Sequence, residues 1–305
     1  MTKLAAIICV RMSSSRLPGK ALCVYDEHSG KPNLLCLIDR IRASRHSPQI
    51  IVATTTGADD DPIIGQCVKH SIPYYRGDLR NVVRRFDESL RLVPEFDYVW
   101  RVMADNPLID IGLVDHRIDT LIRYKADVVA PIPPEPTYAA HSNVWSREAW
   151  EYCAKQSSGS LLEHPGEFIY ENAGMFKTIY DPGPSNEYYL PIRTELDTSE
   201  DLRFFRKVWS KYPYAAMETR VNSIYRVDEI RRVDTGGVLR WLPSRPDIIS
   251  INSSVQAKTS TTFAHGHARA RSWICKGCGH TIAHKVNEGL AINCQRCGEE
   301  RRFYP

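Results

Sequence analysis

No stretch of this 305-residue chain approaches the ~18 consecutive apolar residues of a bilayer-spanning helix, which excludes a helical membrane anchor. The first apolar run, Leu4–Val10, is short and stops at Arg11. It reads as a buried strand rather than a secretion signal, so a cytoplasmic protein is expected. Charge of one sign is also lacking: 40 Lys and Arg stand against 36 Asp and Glu, and a net +4 does not by itself point to nucleic acid. The chain has no internal repeat, no GxxxxGK[ST] phosphate loop and no Ser/His/Asp or Cys/His grouping that would nominate a nucleophile. Cys9, Cys23, Cys36, Cys67 and Cys153 show no pairing pattern and are expected to be reduced thiols.

What is present is an alternation of strand and helix signals over the first ~130 residues. Strands are expected at Leu4–Val10, Ile50–Thr54, Ile72–Tyr75, Tyr98–Met103 and Ala126–Ala130. Helices are expected at Leu34–Ser44, Asp61–His70, Val82–Val93 and Ile111–Tyr124, and Arg76-Gly77-Asp78 reads as a turn. This pattern predicts an α/β fold with a mainly parallel sheet, in which ligands sit beyond the carboxyl ends of the strands. Residues 131–191 are less regular and read as a substrate-binding or dimer-forming insertion. Ser199–Trp209 has a helix signal, capped by Thr198 or Ser199 with acidic residues in the first turn, and further helices are expected over Ile224–Trp241. The expected organisation is one large α/β domain over 1–250, a Ser/Thr/Ala/His-rich linker over 251–271 and a small module over 272–305.

The loop after the first strand, Arg11-Met12-Ser13-Ser14-Ser15-Arg16-Leu17-Pro18-Gly19-Lys20, packs three cations and three hydroxyls into ten residues. Backbone N–H groups, hydroxyls, forked guanidinium donors and a mobile ammonium together suit a triphosphate. The stretch resembles the RxxSxRLPGK signature of the cytidylyltransferases that make CMP-activated acidic sugars: CMP-Kdo synthetases, CMP-sialic acid synthetases and the spore coat polysaccharide cytidylyltransferases. The resemblance continues through Ile51–Ile63, through Tyr75-Arg76-Gly77-Asp78 with Asn81–Phe86, through Arg101–Asp110 and through Leu196-Asp197-Thr198-Ser199-Glu200-Asp201-Leu202, covering about residues 1–210. It implies a Rossmann-like nucleotidyltransferase fold. It implies that Arg11, Ser13, Ser14, Arg16, Lys20, Arg76 and Asp78 bind the nucleotide CTP, that Lys20, Arg16, Asp105 and Asp197 are the catalytic group, and that Asp105 and Asp197 hold Mg²⁺. A homodimer is one arrangement the resemblance suggests.

The implied reaction is direct displacement at the α-phosphorus of CTP by a small acidic acceptor, with loss of pyrophosphate and no covalent enzyme intermediate. The segment Pro136–Trp145 departs from the family, which has an acidic, glycine-containing stretch there, so the acceptor is open between a sugar acid, a related acid and a phosphonate. His141, His164 and Arg193 are candidate acceptor contacts; surface or packing roles for the histidines and a surface ion pair for Arg193 are the alternatives.

Cys275-x2-Cys278 and Cys294-x2-Cys297, separated by fifteen residues, form a pattern suited to tetrahedral Zn²⁺ with no open position. The segment resembles a zinc ribbon, and a module of this size needs such a staple because its own core is small. Its basic character leaves docking of a protein or carrier partner, or contact with nucleic acid, open. Two other readings stand beside the enzyme: a nucleic-acid or protein-binding factor working through the ribbon with a non-catalytic nucleotide domain, and a transferase using another nucleotide, such as GTP with a molybdopterin-like acceptor.

Overall fold

The computed structural model describes residues 2–131, 143–181, 192–211, 217–218, 232–233, 235–253, 270–274, 281–285, 291–293 and 300–302. A seven-stranded sheet is built from β1 (Leu4–Cys9), β2 (Gln49–Thr55), β3 (Tyr74–Gly77), β4 (Tyr98–Met103), β5 (Val128–Pro131), β6 (Asn143–Ser146) and β7 (Thr178–Asp181), in the order β3-β2-β1-β4-β6-β5-β7. β1 to β4 run parallel to one another, and β5 is parallel to β7. β6 alone is antiparallel to its neighbours β4 and β5. The sheet is therefore mixed but mainly parallel.

Period-two alternation along β1 divides the core. Ala6 and Ile8 face one side, under α1 (Asn33–Ile41), α2 (Asp61–Lys69) and α4 (Ile111–Tyr124), with Leu34, Leu37, Ile38, Ile63, Val114 and Ile118 completely or almost completely buried. Ala5 and Ile7 face the other side, under α3 (Val82–Ser89) and α5 (Arg147–Gln156), where Phe86, Trp145 and Trp150 are buried. A third cluster joins α7 (Ser199–Lys211) to α8 (Thr235–Trp241) and α9 (Pro246–Ile249) through Phe204, Phe205, Val208, Val238, Leu239 and Ile248. Tyr25 and Leu108 belong to this cluster, so the loops after β1 and β4 rest on the late helices.

Several expectations are corrected. Residues 131–191 do not form an insertion in their described parts: they supply β6, α5, the short α6 (Glu167–Glu171) and β7, and Val144 and Trp145 are core residues rather than acceptor contacts. Arg76 and Gly77 lie in a strand, paired with Thr54 and Thr55 of β2, and not in a turn. Ile72, expected in that strand, instead donates its amide to the Cys67 carbonyl at the end of α2. In the late region the described helix covers Thr235–Trp241. Two antiparallel strand pairs follow: β10 (Ala270–Ile274) with β11 (Thr281–Lys285), and β12 (Ala291–Asn293) with β13 (Glu300–Arg302). The two-residue strands β8 (Met217–Glu218) and β9 (Arg232–Val233) form a further pair. Among the described residues no helix is long and apolar enough to cross a membrane.

Candidate active site

From β1 the chain turns to β2 and β3 on one side, while β4 lies on the other. The gap beyond the carboxyl ends of β1 and β4 is thus the topological switch point, where open α/β sheets bind their ligands. The Arg11–Lys20 loop leaves β1 into this gap, and Asp105 follows β4 into it.

The loop is folded by its own backbone. The Met12 carbonyl accepts from the amides of Ser14 and Gly19, both at 2.9 Å. Gly19 takes φ +73°, a left-handed conformation that glycine adopts without a Cβ clash. The Met12 amide donates to Asp60 Oδ1 at 2.7 Å, and the other Asp60 oxygen accepts from the Thr54 and Thr55 hydroxyls and the Thr55 amide. Burial favours the neutral Asp60 carboxyl, but these donors outweigh it and hold its pKa below the ordinary value. Asn33 Nδ2 bridges the carbonyls of Lys20 (3.3 Å) and Ala104 (2.8 Å), tying the loop to the turn that carries Asp105. Arg11 and Ser13 remain exposed, and Ser14 Oγ accepts from the Leu17 amide at 3.3 Å.

The chain's most separated candidates meet at one ammonium. Lys20 Nζ donates to Asp105 Oδ2 at 3.1 Å and to Asp197 Oδ1 at 2.7 Å. Arg16 reaches the other Asp197 oxygen at 2.7 Å. Asp197 is brought to Asp105 by the backbone, since the Leu196 amide donates to the Asp105 carbonyl at 2.9 Å. Both carboxylates are buried, at 7% and 1% exposure, and Arg16 remains open to solvent.

Behind Asp197 lies a network that sequence reading only half finds. Arg193, expected at an acceptor or in a surface ion pair, has a side chain only 7% exposed; its guanidinium pairs with Glu195 at 3.0 Å, clasps both oxygens of Asp201 at 2.9 and 3.1 Å, and stands 3.8 Å from Asp197. Asp201 also accepts from the amides of Asp197 (3.0 Å) and Thr198 (2.9 Å) and from Asn252 Nδ2 (3.0 Å). Burial raises the Asp201 carboxyl, yet Arg193, Asn252 and the Asp197 amide pull it below the usual aspartate range. Thr198 caps α7 through its Oγ1, which accepts from the Asp201 amide at 3.2 Å. Asp201 was visible in sequence as an acidic first-turn residue inside the late family-like segment, without a partner; Asn252, 51 residues further on, carried no signal.

Arg76 and Asp78 lie beside the β2–α2 turn and the start of α3. Arg76 donates to the carbonyls of Thr55 (2.9 Å) and Gly57 (2.8 Å) and pairs with Asp61 at 2.8 Å, bracing the turn between β2 and α2. Asp78 accepts from the amides of Arg80 and Asn81 at the start of α3. His164 is an exposed loop residue. His141 and the four cysteines Cys275, Cys278, Cys294 and Cys297 lie outside the described residues.

Chemically, the centre joins two buried carboxylates to two cations. Oxygen donors of this kind suit Mg²⁺, which takes one or two carboxylates and completes its shell with phosphate oxygens and water. Among the described residues no group of three or more His, Cys, Asp or Glu is placed to hold a metal ion by itself.

A family model described as cytidylyltransferase matches residues 5–195. An uncharacterized protein of Methanocaldococcus jannaschii is 27% identical over 258 residues, covering 84% of this chain and 97% of its own length. The spore coat polysaccharide biosynthesis protein SpsF of Bacillus subtilis is 24% identical over 230 residues, covering 69% and 88% respectively. A 3-deoxy-manno-octulosonate cytidylyltransferase of Neisseria meningitidis is 26% identical over 235 residues, covering 70% and 89%. Among solved structures, a cytidylyltransferase from Leptospira borgpetersenii superposes with a TM-score of 0.68 at 19% identity, over 82% of this chain and 97% of that one. The synthetase of CMP:2-keto-3-deoxy-manno-octonic acid complexed with CTP superposes with a TM-score of 0.50 at 19% identity, over 68% and 99%. The two superpositions establish a shared α/β fold.

Proposed function

The chain belongs to the cytidylyltransferase family and is a nucleotidyltransferase, and from that premise we propose that it transfers CMP from CTP to an acidic sugar or a related acid, with release of pyrophosphate. The observation that carries this reading is the convergence of Lys20, Arg16, Asp105 and Asp197 at the switch point. The names of its relatives, which include a 3-deoxy-manno-octulosonate cytidylyltransferase and a spore coat polysaccharide biosynthesis protein, favour an acidic sugar.

In this reading Asp105 and Asp197 hold Mg²⁺, which neutralises charge on the triphosphate. Lys20 and Arg16, both paired with carboxylates in the free protein, exchange those partners for phosphate oxygens when the nucleotide enters. The loop amides and the exposed Arg11 and Ser13 add donors along the phosphate chain. The acceptor hydroxyl attacks the α-phosphorus. One P–O bond forms to the acceptor oxygen and the bond to the β-phosphate bridging oxygen breaks, so pyrophosphate departs with the electron pair. The hydroxyl proton passes to solvent. Asp197, fixed by the Asp201 network, also stands where an entering hydroxyl can be oriented. A CMP–acid product identified by mass spectrometry, and absent with Asp197→Asn, supports the reading. CTP turnover that continues unchanged in that variant contradicts it.

For the C-terminal segment we propose a structural Zn²⁺ on Cys275, Cys278, Cys294 and Cys297. In chain order each CxxC pair falls between the two strands of one hairpin, and four thiolates in two such pairs supply a closed tetrahedral set. A cytoplasmic location, a homodimer and a protein or carrier partner for this module belong to the same proposal.

A further inference from the structure

Among the described residues, two arginines near the site form no ion pair with a carboxylate. Arg101 lies on β4 four residues before Asp105, in register with Ile7 of β1 and with Asn143 of β6. Alternation along β4 puts it on the α3/α5 face of the sheet, the side opposite Trp100 and Val102. Arg85 comes from α3, which covers this face, and is only 3% exposed. Its stem lies against Gly77, where an added Cβ would come within 2.9 Å of the Arg85 Cγ. Both guanidiniums act electrostatically on the Cys9 thiol at the end of β1, two residues before Arg11. The pair thus sits under the strand ends that carry the phosphate loop and the Asp105 turn.

Among the described residues neither guanidinium forms an ion pair. Arg101 donates through one terminal nitrogen to the Pro165 carbonyl at 3.0 Å. Arg85 donates through one terminal nitrogen to the Asp78 carbonyl at 2.7 Å, while its buried Nε has no partner. A buried guanidinium is costly unless its charge is compensated; the Asp78 carbonyl does not neutralise Arg85, and the exposed Asp78 carboxylate acts on it only through space, without an ion pair. Arg101 and its register neighbour Asn143 are half-buried and therefore reachable. A forked donor of this kind takes a planar or tetrahedral oxyanion through two of its nitrogens.

We propose that Arg101 and Arg85 form the subsite that binds the acid group of the acceptor, a carboxylate or phosphonate, below the strand ends on which the nucleotide is held. This rests on the reading of the chain as a transferase with an acidic acceptor, and it assigns the acid group to residues outside the Lys20–Asp105–Asp197 centre. Arg101 meets the entering anion, and Arg85 supplies the buried charge behind it.

The test is calorimetric binding of a panel of sugar acids and phosphonates, each beside its neutral methyl ester, to the full-length protein saturated with Mg²⁺ and a non-cleavable α,β-methylene analogue of CTP. Because no turnover is needed, binding is read separately from catalysis. The wild-type protein is expected to bind at least one acid and to reject its ester. Arg101→Met should weaken that acid by roughly 10- to 100-fold, the effect of losing a charge-assisted hydrogen bond, while the affinity for the CTP analogue stays within twofold. Arg101→Lys should recover part of the loss, and Arg85→Lys, which keeps the charge if Met disturbs folding at that position, should be milder than Arg85→Met. An acid bound equally by Arg101→Met, an ester bound as well as its acid, a CTP analogue weakened in parallel, or no binding by any acid overturns the subsite. If the acid binds through Arg101 but pyrophosphate is never released, the subsite stands and the reaction falls. If pyrophosphate is released and Arg101→Met binds the acceptor normally, the reaction stands and the subsite falls.

Discussion

A single ammonium, Lys20 Nζ, cross-links two carboxylates that are 92 residues apart in the chain, at 3.1 and 2.7 Å. With Arg16 on Asp197 this makes a small charge-balanced cluster, from which the proposed reaction has the nucleotide recruit both cations. Replacing Lys20 by Met removes the neutralising charge and the phosphate donor together, so pyrophosphate release should fall by ~10²–10³-fold, the usual effect of losing one donor to developing charge. Near-wild-type turnover with intact folding by circular dichroism contradicts the role given to Lys20. Asp201 makes a different prediction. Its pKa is lowered in the folded protein, so it adds stability that is complete above the ordinary aspartate value of 3.8 and is lost as pH falls toward the folded value. Asp201→Asn should therefore cost roughly 3 kcal/mol near neutral pH, as for breaking a buried pair, and the urea midpoint of the variant should change less between pH 6 and pH 3 than that of the wild type. Equal pH slopes would contradict the assignment. At this scale the sequence reading singled out Lys20, Asp105 and Asp197 through residue type and a long motif, and the fold brings the three together. It also assigned Arg76 and Asp78 to the nucleotide; in the structure Arg76 contacts two carbonyls and Asp61, and Asp78 the amides that begin α3. Those partners are created by folding and are not encoded in local spacing.

Among the elements, strong periodicity was legible and edges were not. The buried runs of β1, β2 and β4 and the amphipathic α1 and α4 fall where hydrophobic spacing predicts them. β3 begins two residues later than expected because Ile72 is used to close α2, and its register with β2 then draws in Arg76 and Gly77. The middle of the chain looked irregular because β6 is only four residues long and runs against its neighbours, a placement that no alternation of strands and helices foretells. Gly166 illustrates how tightly that region packs. It takes φ +87°, and a Cβ added there would overlap the fully buried indole of Trp145. Gly166→Ala should destabilise the protein by at least ~2 kcal/mol, combining overpacking with left-handed backbone strain. An unchanged urea midpoint would show that the Trp145 contact yields freely.

Over the whole molecule, one α/β body brings residues 11–20, 105 and 193–201 to the carboxyl ends of the central strands β1 and β4, and the late helices α7, α8 and α9 pack together beside them through Phe204, Val238 and Ile248. Asn252 fastens the end of this unit to the Arg193 carbonyl and to Asp201. The four-cysteine segment follows in the chain. Purified without chelators, the protein should carry about one zinc ion per chain, as a single four-thiolate site requires, and lose it on replacement of Cys275 and Cys294 by Ser. Metal-free protein with four titratable thiols in that segment contradicts the zinc proposal without touching the transferase.

The central claim is CTP-dependent transfer to an acid, and pyrophosphate release tests it most directly. Each of the four nucleoside triphosphates is supplied with Mg²⁺ and a panel of sugar acids and phosphonates, with Asp105→Ala as the control. The account predicts release with CTP and one class of acceptor, lost in Asp105→Ala. Release with another nucleotide in preference to CTP, release that survives the substitution, or none with any combination contradicts it.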